Sequence, residues 1–299
     1  MKFLSVAEIA KKWGISERSV RNYCTHGRID GAFLTGKTWN IPENAQKPER
    51  ENKSKFSDNV LLNVLREQKD MKLKGGIYHK TQIELTYNSN HIEGSRLTEE
   101  QTRFIFETNT IGVDSDTAVH VDDIIETSNH FKCIDYVIDN AKKPLTERII
   151  KELHFLLKTG TSDSRKDWFN VGDYKKMPNE VAGEATCLPQ DVKSALAALL
   201  QRYGAIEVKT FEDIIEFHHD FERIHPFQDG NGRVGRLIMF KECLAHNFVP
   251  FIIDERHKAY YYRGLKEWES ERGFLIETCL SAQDVYKKWL DYFEIRGTK

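Results

Sequence analysis

The run from Ile224 to Leu237, I-H-P-F-Q-D-G-N-G-R-V-G-R-L, constrains this chain more than any other stretch. Ahead of it, Ile214, Phe217, His218, Phe221, Ile224 and His225 fall at helical spacing, which predicts an amphipathic helix from about Thr210 to Ile224. Pro226 stops it, because proline disfavours the helical conformation in the residue before it. Asp-Gly-Asn-Gly follows, tolerating positive φ at Gly230, Asn231 and Gly232 and letting main-chain N–H groups converge. A second helix is expected from about Gly232 to about His246, burying Val234, Leu237, Ile238, Leu244 and Ala245. The loop then meets a helix N-terminus, where dipole and unpaired donors favour an anion. Arg233 and Arg236, three apart on the first turn, add guanidinium forks suited to phosphate oxygens.

One imidazole and one carboxylate face this nest. His225 has the only unperturbed pKa near neutrality, so it is the natural general base. Asp229, beside bound phosphates, is placed as a ligand for Mg²⁺, which takes one or two carboxylates plus phosphate oxygens and water. Taken singly, a histidine at a helix end is more often structural and D-G-N-G is usually a turn. The conjunction is what signals metal-assisted transfer from a nucleotide.

The same positions carry a family resemblance. H-x-F-x-[D/E]-G-N-G-R-x-x-R is matched at His225, Phe227, Asp229, Gly230, Asn231, Gly232, Arg233 and Arg236, and the chain resembles the Fic family. The resemblance implies that His225 takes a proton from a target hydroxyl, which attacks the α-phosphate of ATP and leaves AMP on a protein side chain. It implies Asp229 as the Mg²⁺ ligand and Gly230, Asn231, Gly232 and Arg233 as the phosphate cradle. Arg236 would hold the γ-phosphate, and Phe227 would anchor the loop.

The net charge of −2 is unevenly spread. Residues 1–50 carry nine Lys and Arg against five Asp and Glu, whereas the whole chain has 44 against 46, which suggests two jobs. Ser5 caps a helix with Val6, Ile9 and Ala10 inward, ended by Gly14. Ser16 caps a second with Val20 and Tyr23 inward, ended near Gly27. Ile29 to Ile41, punctuated by Gly31 and Gly36, reads as a small β-hairpin wing. The pattern resembles the winged helix-turn-helix of excisionase and MerR-type regulators. That resemblance implies duplex DNA as a partner, with Arg18, Arg21, Arg28 and Lys37 on phosphates; winged folds also serve as protein-docking modules. Residues 46–55, charged and without large apolar side chains, read as a linker.

From about Phe56 onward helical spacing dominates. Stripes at Val60, Leu61, Val64, Leu65, then Ile77, Ile83, Leu85, Ile92, then Ile124 to Val137, then Ile149 to Leu157 each predict a helix, with Thr98 and Thr146 as caps. The fold class is therefore mainly α: a small N-terminal winged helix-turn-helix domain at residues 1–49, then an all-α Fic-type helical domain at residues 50–299 with a short β-hairpin flap. Ser89 and Glu93, four apart ahead of Gly94, read as an ordinary helix C-terminus. In the Fic family [S/T]-x-x-x-E-[G/N] is the inhibitory helix, which implies a Glu93–Arg236 ion pair that denies the γ-phosphate its arginine. A carboxylate so placed could instead orient a water that removes AMP.

Between Asn170 and Gln190 the pattern breaks at Gly172, Pro178, Gly183 and Pro189, with extended pieces near Met177 and Val181 to Gly183. In the family a flap at residues 172–189 pairs main chain with the target segment and aligns its Ser, Thr or Tyr hydroxyl. Val192 to Tyr203 reads as a core helix. Asp254 caps another bearing Tyr260, Tyr261 and Tyr262, of which Tyr261 and Tyr262 are candidates for the adenine side. The C-terminal run with Val285, Trp289, Leu290, Tyr292 and Phe293 reads as core or as a contact in a homo-oligomer.

Five scattered cysteines without a C-x-x-C pair argue against a disulfide framework or zinc, and no stretch reaches the ~18 apolar residues of a membrane span, so a cytoplasmic protein is expected. A metal hydrolase on His218, His219, His225 and Asp229 is disfavoured, since adjacent helical residues point about 100° apart. Two other readings stay open: a DNA-binding regulator that senses a nucleotide, and a Fic enzyme working in reverse or with UMP, phosphate or phosphocholine.

Overall fold

The computed structural model describes residues 2–25, 27–48, 59–112, 118–181 and 183–296. Twelve α-helices, one short 3₁₀ helix (Asp163–Arg165) and five short strands lie within these residues.

At the N-terminus, β1 (Phe3–Leu4), α1 (Val6–Trp13), α2 (Glu17–Thr25), β2 (Phe33–Thr35) and β3 (Thr38–Pro42) surround their own core of Ile9, Val20, Tyr23, Ile29 and Ile41. Ser5 and Glu8 form a reciprocal capping box at the start of α1, and Gly14 closes it at φ +63°. Strand β1, too short to be legible, pairs antiparallel with β3 and gives the order β1-β3-β2. The Ser19 hydroxyl donates to Glu277 of the C-terminal helix at 2.6 Å, a polar contact that ties this unit to it. Most of the stretch read as a linker lies outside the described residues.

The rest is helical: α3 (Val60–Asp70), α4 (Ile77–Ile92), α5 (Glu99–Thr108), α6 (Val121–Asn140), α7 (Glu147–Lys158), α8 (Val192–Ala205), α9 (Phe211–Ile224), α10 (Asn231–Ala245), α11 (Glu255–Lys266) and α12 (Gly273–Tyr292). Helix α10 is the axis. It touches α4, α6, α7 and α9, and separates a large core containing Val234, Leu237 and Phe240 from a smaller one containing Met239, Cys243 and residues of α11 and α12.

Only one face of α10 was expected to be buried, yet Arg233, Arg236, Lys241 and Glu242 are buried as well. Each is paired, as an ion in a low-dielectric interior must be. Lys241 Nζ donates to the Lys143 and Ala141 carbonyls and to Glu242, and Glu242 accepts from the Tyr203 hydroxyl at 2.8 Å. The C-terminal run divides: Leu290 is in the core, while Tyr292 is 80 % exposed.

Candidate active site

Helix α9 ends at Ile224, and His225 is its C-cap in the left-handed region, φ +50°, with its N–H donating to Phe221 O at 2.9 Å. A histidine at positive φ is uncommon and such outliers cluster at functional sites. The ring is mostly buried and its Nδ1 lies 3.2 Å from the Glu222 main-chain carbonyl. A carbonyl only accepts, so Nδ1 carries the hydrogen and Nε2 keeps a free lone pair. Burial pushes the imidazole pKa down to about 4, which leaves the ring neutral and able to take a proton at pH 7.

Of the three loop residues expected to tolerate positive φ, only Gly230 adopts it, at +82°; Asn231 and Gly232 are already helical. Helix α10 therefore begins one residue earlier than expected. Asn231 is also reassigned. Its buried side chain accepts from Phe227 N at 2.8 Å and donates to Phe227 O at 2.9 Å, so it staples the loop, and only its main chain is left for a cradle. Phe227 is fully buried and stacked on the His154 ring at 3.9 Å, as an anchor should be.

Asp229, about half exposed on its side chain, accepts from Lys158 Nζ at 2.7 Å and from Arg233 at 3.1 Å. Although burial pushes its carboxyl up, Arg233 and Lys158 outweigh this and hold it well below the usual carboxylate range. Arg233 also pairs with Glu126, so its fork is engaged by two carboxylates. The ionised, partly open Asp229 fits a Mg²⁺ ion that draws its other ligands from phosphate oxygens and water. Among the described residues no group of three or more His, Cys, Asp or Glu could hold a metal. The three histidines of α9 and its cap diverge: His218 meets the Tyr261 hydroxyl, His219 stacks on Trp268, and His225 turns its Nδ1 to the Glu222 carbonyl.

Arg236 is brought to Ser89 and Glu93, 143 and more residues earlier in the chain. Its Nε donates to Ser89 Oγ at 3.0 Å, and Nη2 donates to Ser89 O at 2.9 Å and Glu93 Oε1 at 2.7 Å. A Cβ at Gly232 would collide with Glu93 Oε1, so the Glu93 carboxylate sits directly against the N-terminus of α10.

Sequence reasoning missed three side chains. His154 donates through Nε2 to Asp229 O at 3.1 Å and accepts from Gly172 N at 2.9 Å, joining the loop to the start of the flap. Lys158 is 2 % exposed and holds Glu126, Asp163 and Asp229 together. Their signal was present: both extend the apolar stripe of α7, Ile150, Leu153 and Leu157, where a polar residue needs a buried partner. Glu222, beside His225, is the third.

The flap is a short hairpin, β4 (Glu180–Val181) with β5 (Glu184–Ala185); Met177 is not in a strand, and Ala182 lies outside the described residues. Its base is tied to the His225 loop by Lys175 N to Pro226 O at 2.9 Å and Asn179 Nδ2 to Phe227 O at 3.0 Å. Lys175 Nζ donates to Asn179 Oδ1 and Thr186 Oγ1, both at 2.7 Å, and to Ile224 O at 3.3 Å, pinning both arms to the end of α9. Lys175→Met is therefore expected to speed amide exchange in the hairpin about tenfold, with exchange in α9 and α10 unchanged. Equal flap exchange in both proteins would show that the ammonium does not hold it.

Of the adenine-side candidates, Tyr261 is corrected: it is 1 % exposed and its hydroxyl lies 2.6 Å from His218 Nε2, so its ring is not presented to a ligand. Tyr262 is 43 % exposed, with its hydroxyl 3.4 Å from Ile92 O, and remains beside Glu93. Arg18, Arg21, Arg28 and Lys37 are all exposed, although Arg21 is paired with Glu17 at 2.7 Å.

Residues 144–243, from just before α7 to α10, match the Fic/DOC family model, about a third of the chain. Relatives are named accordingly. The chain is 29% identical over 187 residues to protein adenylyltransferase Fic of Drosophila erecta and 26% identical over 183 residues to that of Aedes aegypti. Each match covers 60% of this chain and 36% of the relative, so the chain spans about a third of the length of these curated relatives. A Fic-domain signalling protein from Bacteroides thetaiotaomicron superposes with a TM-score of 0.55 at 25% identity, over 80% of this chain and 92% of that one. Fic-1 from C. elegans superposes at 0.58 and 18% identity, over 80% and 73%, and supports the fold. Among the described residues no helix is long and apolar enough to cross a membrane.

Proposed function

We propose that this chain is a protein adenylyltransferase that moves AMP from ATP to a hydroxyl of a target protein and is held in check by the Glu93–Arg236 pair. The observation that carries the reading is a neutral imidazole at the exit of α9, its Nδ1 tied to the Glu222 carbonyl so that Nε2 keeps a lone pair, within electrostatic reach of Glu93 and Asp229 beside the start of α10. The base His225 takes the proton of a Ser, Thr or Tyr hydroxyl. The oxygen forms a bond to the α-phosphorus as the bond to the β-phosphate oxygen breaks, and pyrophosphate carries away the displaced electron pair. The N–H groups at Gly232 and Arg233 and the Arg236 fork receive phosphate oxygens once Glu93 withdraws. Mg²⁺, held by Asp229, would neutralise phosphate charge there. The flap supplies main-chain edges to the target segment.

The test is to incubate the protein with ATP labelled in the α or in the γ position. AMP transfer predicts protein-bound label from the first only. Label from the second alone would indicate phosphate transfer, and label from neither, with Glu93 replaced, would overturn the reading. Because Glu93 stands at the mouth of the site, the reverse reaction, with that carboxylate orienting a water, is the second reading. Loss of label from a premodified target on adding the protein would favour it.

For residues 1–49 we propose duplex DNA as the partner, supported by the exposed Arg18, Arg28 and Lys37 around α2 and the β2–β3 hairpin. Binding should fall with salt, and Arg18→Ala with Arg21→Ala should weaken it about tenfold. No retention on any duplex at low salt would make the segment a protein-docking module. Four buried free cysteines and one partly exposed one support a reducing, cytoplasmic setting.

A further inference from the structure

We propose that Glu222 is the positioning residue of His225, and that a buried polar chain through His218 and Tyr261 ties both to Arg236. The inference rests on the reading of His225 as the base. Glu222 lies on the last turn of α9. Its Oε2 is 3.9 Å from His225 Nδ1, while its own carbonyl is 3.2 Å from the same nitrogen. Its Oε1 faces His218 Nδ1 at 4.0 Å, and both of these buried atoms lack a hydrogen bond of normal geometry among the described residues. Helix α10 packs directly on them, since a Cβ at Gly235 would collide with Oε1 and with the His218 ring.

The direction of the chain follows from donor chemistry. The Arg236 guanidinium can only donate, and it interacts with the Tyr261 hydroxyl. That hydroxyl, 2.6 Å from His218 Nε2, therefore gives its own hydrogen to the ring and leaves the His218 proton on Nδ1, toward Glu222. His225 Nδ1 carries its hydrogen too, so two ring N–H groups face one carboxyl. Small side-chain rotations bring separations of 3.9 and 4.0 Å to hydrogen-bond length.

The groups facing Glu222 are His218 and His225, Arg236 from α10, Glu93 after α4 and Tyr261 from α11; His225 also faces Lys175 and Asp229. Burial pushes the Glu222 carboxyl up to about 8, with Arg236 pulling the other way and Glu93 adding to the rise. Below that pH the acid is mostly neutral. Above it, the carboxylate accepts from His225 Nδ1–H and stabilises the imidazolium formed when Nε2 takes the hydroxyl proton. Burial also lowers Lys175 to about 8, so its titration must be separated.

The experiment follows α-phosphate labelling by Glu93→Gly protein across pH. The turnover rate is expected to climb through a limb near about pH 8. Adding Glu222→Gln should remove the limb and lower kcat roughly 10- to 100-fold with the KM for ATP unchanged, whereas Glu222→Asp should restore the limb and Lys175→Met should keep it. In parallel, ring-nitrogen NMR of His225 should show a shift through the same pH that Glu222→Gln abolishes. A limb that survives Glu222→Gln, or identical His225 ring titrations in both proteins, overturns the proposal. If Glu93→Gly protein never labels, the reading of His225 as base falls by itself, and the NMR comparison alone decides whether Glu222 governs the ring.

Discussion

Replacing Glu93 by glycine is expected to raise α-phosphate labelling about 10- to 100-fold. The pair it removes is a short one: Glu93 Oε1 accepts from Arg236 at 2.7 Å, with the arginine side chain 4 % exposed and the carboxylate 30 % exposed. A γ-phosphate reaching for Arg236 must displace that carboxylate and tolerate its charge, a coupling of roughly 1.5–3 kcal/mol for close, largely desolvated pairs, and each 1.4 kcal/mol is about tenfold. The substitution should increase activity because Arg236 does not depend on Glu93 for its position. Ser89 holds the guanidinium through both its hydroxyl and its carbonyl, at 3.0 and 2.9 Å, so the fork stays aimed at the α10 N-terminus after the carboxylate is gone. Removing Glu93 also clears the contact with Gly232, which opens the cradle itself. Labelling rates equal in wild type and Glu93→Gly would remove autoinhibition from the account, and a gain that persists when Arg236→Ala is added would show that relief of the pair is not its cause.

How much of this was legible in the sequence depended on whether a residue's partner was local. The stop of α9 at Ile224 follows from Pro226, and the caps at Ser5, Thr98, Thr146, Thr210 and Asp254 bond main-chain N–H groups within three residues. Local sequence therefore contains them. The left-handed His225 was not legible, because a residue before proline is expected in the extended region and the tertiary setting overrides that preference. The Asn231 staple is local as well, but an asparagine in D-G-N-G reads equally as a turn residue or a ligand group until the backbone is known.

The burial of α10 on every side could not be read from its apolar residues. Arg233 and Arg236 are paired with Glu126 and Glu93, and Glu242 accepts a hydrogen bond from Tyr203, all 39 or more positions away along the chain. Glu93 itself illustrates the limit. Spacing alone makes it a helix end; the family resemblance is what implied Arg236 as its partner, and the fold brings the two to 2.7 Å. Tyr261 and Tyr262 are neighbours in sequence and were treated alike, yet a step of one residue on α11 turns one ring into the core and the other toward the site.

Removing the imidazole, His225→Ala, is expected to lower labelling by a factor on the order of 10²–10⁴, the usual contribution of a positioned general base, while leaving ATP affinity within about threefold. The separation is physical. The His225 ring is held by its Nδ1 contact to the Glu222 carbonyl and by burial, whereas the anion site is formed by the α10 N-terminus and Arg236, held by Ser89 and Glu93. Alanine at φ +50° retains a non-glycine Cβ in the same conformation and keeps the N–H that caps α9 on Phe221 O, so the helix end should survive. Burial keeps the imidazole neutral well below pH 7, so the ring can take a proton at both about pH 6 and about pH 8, but the loss should be larger at the higher pH, because the gain from ionised Glu222 acts through the ring and disappears with it. Calorimetric ATP binding by Glu93→Gly and Glu93→Gly/His225→Ala, set beside their labelling rates, separates the two roles. Full labelling without the ring would place the proton acceptor elsewhere, and lost ATP binding would make His225 part of the nucleotide pocket and not its base.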